Sequence, residues 1–196
     1  SDEKLKKETL KLFRLGGLAA QYAALHDPWR GFSFDFLSNL GAKIAMVEET
    51  KRYYLYLPVN IKGKLRGYIK ARAKKLEGYP SYLNAPGSWG IRYGLFLYDE
   101  AVRLMQEKEL NYIILVEGPR DALRLLRLGF PTVAILGTQS WSKWKIRLLE
   151  FTGAQRIILM MDGDSPGRHA ARMIRTGIRR TTTGDEQIAP ALTENF

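Results

Sequence analysis

From residue 112 onward, short apolar runs alternate with segments of helical period, and this alternation restricts the fold more than any other feature of the chain. The order is YIILV, PRDALRLLRL, TVAIL, SWSKWKIRLLEF, RIILMM, PGRHAARMIRTGIRR: strand then helix, three times. Parallel strands need crossover connections, and a helix between two strands supplies one. Runs this continuously apolar cannot leave a face in water. The expected fold class is therefore α/β, a Rossmann-like parallel sheet with helices on both faces, with Gly129 stopping the first of these helices.

All strands of such a sheet end at one edge, and ligands bind just beyond it. Glu117 follows YIILV; Asp162 and Asp164 follow RIILMM. The topology thus gathers these three carboxylates on one rim, and Asp121, in the first turn of the helix after Glu117, is placed to face them. Crowded carboxylates raise one another's pKa unless a cation intervenes, and a hard divalent ion, Mg²⁺ or Mn²⁺, is the natural partner for oxygen ligands. Such a site suits phosphate chemistry, because the ion neutralises oxygens that bare carboxylates would repel. Single aspartates at helix starts also serve as caps or dipole partners, so Asp121 and Asp164 taken singly fit either role.

Composition narrows the chemistry. There is no cysteine and there are only two histidines, so any metal sits on oxygen. No apolar run approaches the roughly 20 residues of a membrane span, and the charged start SDEKLKKE is not a signal peptide; the expected location is the cytoplasm, with no membrane partner. A net charge of +11 favours a polyanionic partner such as nucleic acid.

Upstream the period changes. EKLKKETLKLFRLGGLAAQYAAL reads as helix broken at Gly16 and Gly17, YYLYLPV and LRGYIKARA read as a hairpin around NIKGK, GLFLY reads as a further strand, and Asp99 as the cap of the helix DEAVRLMQEKEL. This is a smaller mixed α+β subdomain. In LRGYIKARAK, Arg66, Tyr68, Lys70, Arg72 and Lys74 alternate with small and apolar residues, so one strand face is basic with an aromatic and the other faces a core. That face suits phosphate tracking along a nucleic acid, although a solvated outer face has the same pattern. Tyr82 and Asn84 lie in a loop suited to positioning a nucleotide or template, or to a turn.

Two motifs carry a family resemblance. LVEGPRDAL resembles the strand and Glu-Gly of the first TOPRIM motif, and MMDGDSPGRHAA its Asp-x-Asp motif; VAILGTQSW between them resembles the corresponding DnaG-type primase segment. Upstream, WRGFS, YLPVNIKGKLRGYIKARA and YPSYLNAPGS resemble, in order, segments that precede TOPRIM in primase polymerase cores, so the likeness covers roughly residues 28 to 172. It implies an N-terminal basic subdomain (1–110), a TOPRIM subdomain (111–180) and a tail or linker (181–196).

The resemblance also implies an activity: template-directed synthesis of RNA primers on single-stranded DNA by metal-dependent nucleotidyl transfer. Glu117, Asp162 and Asp164 would be catalytic, and these with Asp121 would hold Mg²⁺ or Mn²⁺. Arg30, Arg66, Lys70, Arg72, Lys74, Tyr82 and Asn84 would contact nucleic acid or nucleotide. Implied partners are the template, NTPs, the RNA primer/DNA hybrid, a replicative helicase and a zinc-binding template-recognition module. A TOPRIM nuclease and a non-catalytic DNA-binding module are the alternatives. The pattern departs from the family after TOPRIM, where only Asp185 and Glu186 stand in for a further acidic motif, and near Leu95, where Arg92 is the nearest substitute for an expected basic residue. The chain also contains neither the zinc ribbon nor a P-loop.

Overall fold

A computed structural model describes residues 7, 28–47, 50–72, 77–84 and 93–182. Apart from Lys7, the N-terminal helix expected over residues 3–25 lies outside the described residues, as do Lys74 and the acidic pair Asp185 and Glu186. The chain divides into two compact units, Ser1–Asn60 with Leu65–Ile91, and Ile61–Lys64 with Arg92–Phe196.

The first unit is built on a sheet of order β1-β2-β3-β4: β1 (Lys43–Val47), β2 (Arg52–Ile61), β3 (Lys64–Arg72) and β4 (Leu83–Asn84). The expected hairpin is β2–β3, and its turn residues Lys62 and Gly63 both have positive φ, as a tight two-residue connection requires. Helix α1 (Phe34–Asn39) precedes the sheet; Ser33 caps it, its Oγ accepting from the Phe36 N–H at 3.3 Å. Leu37, Leu55, Leu57 and Ile69 are fully buried and form the core.

The second unit carries helices α2 (Tyr98–Glu107), α3 (Pro119–Arg127), α4 (Lys143–Phe151) and α5 (Ser165–Thr182) around a parallel sheet of order β6-β5-β7. Its strands are β5 (Tyr112–Val116), β6 (Thr132–Ala134) and β7 (Arg156–Met160). Successive side chains of a strand point to opposite faces. Ile113 through Val116 are all buried, so both faces of β5 are covered, as the apolar pattern requires. Gly129, at φ +84, ends α3 and donates to the Leu126 carbonyl, again as expected.

Three local expectations are corrected. GLFLY is not a strand: only Phe96 bridges to Ala134, and Leu97, in the left-handed region, turns the chain into α2. The run is apolar because Leu95 through Tyr98 are buried, not because it spans a sheet. Asp99 does not cap α2; its carboxylate accepts from the N–H groups of Lys62 and Gly63, at 2.6 and 2.8 Å. Strand β7 is less buried than its sequence suggests: it pairs with β5 alone among the described residues, and Ile158 and Met160 are 42% and 50% exposed.

Candidate functional site at the carboxyl edge of the parallel sheet

The register of β5 against β7 pairs Val116 with Met160. Glu117 therefore leaves its strand one residue beyond a matched pair, and Asp162 leaves the neighbouring strand two residues beyond it. Adjacent strands lie about 4.8 Å apart, so the two acids emerge side by side. The electrostatics agree: the Glu117 carboxyl is raised above its ordinary 4.5, first by burial and then by the charges of Asp162 and Asp164. These three acids form one electrostatic group, as expected from topology.

Asp121 has a different neighbour. It lies exposed in the first turn of α3 with its carboxylate 3.9 Å from the Arg124 guanidinium, and its charge is not among those acting on Glu117. At the start of a helix and beside an arginine, it is placed as a dipole partner. Asp164 combines two roles: its Oδ1 accepts from the Gly167 N–H at 2.8 Å, capping α5, while the other oxygen stays open in an exposed side chain.

The loop between Asp162 and α5 is shaped by backbone. A Cβ on Gly167 would lie 2.9 Å from the carbonyl carbon of Asp162 and 3.0 Å from its nitrogen, and closer still to its oxygen. Only glycine permits that approach. The Arg168 guanidinium also donates to the Gly163 carbonyl and so ties the first turn of α5 back onto the acidic loop. Further along α5, Gly177 passes close to the side chains of Ile146 and Trp141.

Among the described residues no group of three or more His, Cys, Asp or Glu side chains forms a ready metal cage. A divalent ion such as Mg²⁺ does not need one, since it keeps several waters and takes one or two carboxylates together with substrate oxygens. The raised Glu117 carboxyl beside two further acids fits such an ion by the chemistry of its donors.

The upstream candidates form a second cluster, within the first unit. The Arg30 guanidinium donates to the backbone carbonyls of Ser81 (2.9 Å) and Arg72 (3.0 Å) and stacks 4.5 Å from the Trp29 ring and 5.3 Å from that of Tyr82. Lys70 lies over Tyr54, and Arg72 over Tyr79, each 4.2 Å from the ring. Burial alone would raise the Tyr54 phenol, but a hydrogen bond from Arg72 and the charges of Lys70 and Arg72 bring it below 10.0. Ile69 and Ala71 face the core while Arg66, Tyr68, Lys70 and Arg72 lie half-buried on the opposite face, as the alternation requires. Nε and Nη1 of Arg72 are buried and lack a partner among the described residues. Asn84 pairs in register with Ile69, which makes it part of the sheet.

Sequence alone did not single out two further contributors. One is Gly167, whose close approach to Asp162 is a tertiary fact. Lys145 is fully buried beneath the turn that follows β6, and the one clue to it was a lysine among Ile146, Leu148 and Leu149 on the apolar side of α4.

Residues 111–188 match the family model described as Toprim domain. Over 101 residues the chain is 38% identical to the DNA primase of Rickettsia conorii, a match covering 51% of this chain and 16% of that protein. The chain thus spans less than a fifth of the length of that relative. In fold it is similar to the Aquifex aeolicus primase, solved as zinc-binding and RNA polymerase domains, at TM-score 0.60 and 22% identity over 82% of this chain and 46% of that one. It is also similar to a DnaG primase catalytic domain solved bound to ssDNA, at TM-score 0.56 and 23% identity over 74% and 57% of the two chains. Residues 111–188 are thus similar to a Toprim domain, in a chain whose sequence and fold resemble the catalytic core of DnaG-type DNA primases.

Proposed function

We propose that this chain is the catalytic core of a DNA primase, extending an RNA primer on single-stranded DNA by nucleotidyl transfer. The observation that carries this reading is the clustering of Glu117 with Asp162 and Asp164 at the carboxyl edge of the sheet. The DNA primase of Rickettsia conorii and the ssDNA-bound DnaG catalytic domain supply the activity and template by analogy.

In the proposed reaction the primer 3′ oxygen bonds to the α-phosphorus of a nucleoside triphosphate. The bond from that phosphorus to the bridging oxygen breaks, pyrophosphate departs, and the hydroxyl proton is lost to base. A bound Mg²⁺ or Mn²⁺ would supply neutralisation of the triphosphate and leaving-group oxygens. Glu117, Asp162 and the open oxygen of Asp164 would hold it. Glu117, its carboxyl raised by burial and by the charges of Asp162 and Asp164, is also placed to take a proton when ionised. Asp121 contributes at most through the water around the site, since it is engaged near Arg124.

The basic face of β3 serves the nucleic acid in this reading. Arg66, Lys70 and Arg72 would meet phosphates, Lys74 is a further proposed contact, and Tyr82 together with Asn84 of β4 would contact nucleotide or template. Arg30 would act through position, tying the Ser81 carbonyl of the loop before β4 to the Arg72 carbonyl at the end of β3. A zinc-binding template-recognition module and a replicative helicase are the proposed partners, and the cytoplasm the proposed location; no helix among the described residues is long and apolar enough to cross a membrane.

The test is extension of a labelled primer annealed to single-stranded template, with NTPs and Mg²⁺ or Mn²⁺. Incorporation abolished by Asp162→Asn supports the reading. Cleavage of the DNA without incorporation would identify a nuclease, and metal-independent DNA binding without either reaction would identify a binding module.

A further inference from the structure

The turn that follows β6 is held in an unusual way. Leu136 and Gly137 both have positive φ, at 64° and 108°, and Leu136 is buried. An L-residue keeps the left-handed conformation only where its surroundings impose it. The imposing groups are Lys145 and Ser140. Lys145, from the first turn of α4, is fully buried; its Nζ donates to the Ile135 carbonyl at 2.5 Å and to Ser140 Oγ at 2.7 Å, joining the two ends of the turn. Ser140 Oγ in turn lies 2.5 and 2.6 Å from the carbonyls of Ile135 and Gly137. The ammonium has no carboxylate partner among the described residues, and its burial pushes it down to about 7.

This turn touches both elements that carry the acidic site. At its start, the Ile135 N–H donates to the Val116 carbonyl at 3.0 Å, one residue before Glu117. At its end, the 3₁₀ segment Thr138–Ser140 packs against α5, the helix that Asp164 caps. A lysine buried without a counter-charge is costly, and a structural turn alone would be served as well by an apolar side chain with no buried charge to satisfy.

We propose that Lys145 is a positioning residue of the carboxylate rim: by bridging Ile135 and Ser140 it fixes the turn that sets the end of β5, with Glu117, against α5, with Asp164. This rests on the reading of Glu117, Asp162 and Asp164 as ligands of a divalent ion. It assigns Lys145 no contact with substrate.

The experiment uses the full chain and Mn²⁺ alone, with affinity read by electron paramagnetic resonance and the fold monitored by circular dichroism. Asp162→Asn serves as the control. Lys145→Met is expected to weaken Mn²⁺ binding about tenfold, the size typical of residues that orient metal ligands. Ser140→Ala, which removes the hydroxyl but leaves the lysine, is expected to weaken it by a smaller factor and keeps the test open should Lys145→Met fail to fold. The chain contains no cysteine, so Lys145→Cys introduces a single thiol. Alkylating it with bromoethylamine in denaturant, then refolding, restores an ammonium of nearly the same reach and should recover most of the affinity. Were packing the whole role, the methionine side chain would already suffice. Folded Lys145→Met and Ser140→Ala chains that bind Mn²⁺ as tightly as the parent would overturn the proposal. If Asp162→Asn leaves the parent affinity unchanged, the metal reading itself fails, and the assignment of Lys145 falls with it.

Discussion

Gly167 lies against the backbone of Asp162 so closely that a methyl group there would displace the acid-bearing loop. The same residue donates its N–H to Asp164. One glycine therefore sets the position of both aspartates, and Gly167→Ala is expected to reduce primer extension strongly while the chain stays folded. Overpacking of this kind costs about 1–3 kcal/mol, measurable by urea unfolding. Activity equal to the parent would show that the loop can move aside without consequence.

Asp164 offers a separation of charge from capping. Asparagine caps a helix about as well as aspartate, whereas alanine loses the cap at about 1 kcal/mol. Asp164→Asn should therefore keep the parent unfolding midpoint but lose metal affinity, and Asp164→Ala should lose both. Equal stability of the two variants would contradict the hydrogen bond from Gly167.

The raised carboxyl of Glu117 has a definite pH consequence. In the metal-free fold it holds its proton above 4.5, where the unfolded chain has released it, so stability falls as pH rises from 4.5 through the folded pKa. Glu117→Gln should remove that fall and raise the melting temperature at neutral pH. A divalent ion must displace the same proton, so Mn²⁺ affinity should climb across this window and then level off, and the glutamine variant should show a shallower climb.

Arg30 and Lys70 should differ in what they disturb. Arg30 spends its guanidinium on two backbone carbonyls, so Arg30→Lys, which cannot reproduce that fork, is expected to destabilise the chain by about 1–3 kcal/mol. Lys70→Ala removes a charge lying over a ring on the basic face. It should chiefly make single-stranded DNA binding less sensitive to salt, the logarithmic slope falling by about 0.7 for each phosphate no longer neutralised. A salt slope unchanged by Lys70→Ala would remove that residue from the nucleic-acid interface.

Much of this protein was legible in its sequence because period is local information. The strand–helix alternation after residue 112 dictated a parallel sheet, and a parallel sheet has only one carboxyl edge, so Glu117 and the Asp162–Asp164 pair were bound to share it. The alternation in β3 likewise separated a core-facing row from a basic one. What the tertiary structure decided were matters of competition between partners far apart in sequence. Asp99 had the composition of a helix cap, yet two unsatisfied N–H groups of a turn 36 residues or more away bound it instead. Asp121 stood at a position able to face the acids, and the fold also sets it 3.9 Å from Arg124. Arg30, basic and in a loop, meets two backbone carbonyls, partners 51 and 42 residues away that no local pattern announces. The periodicity of a chain specifies which face a residue occupies; which partner it meets there depends on distances that only the folded packing sets.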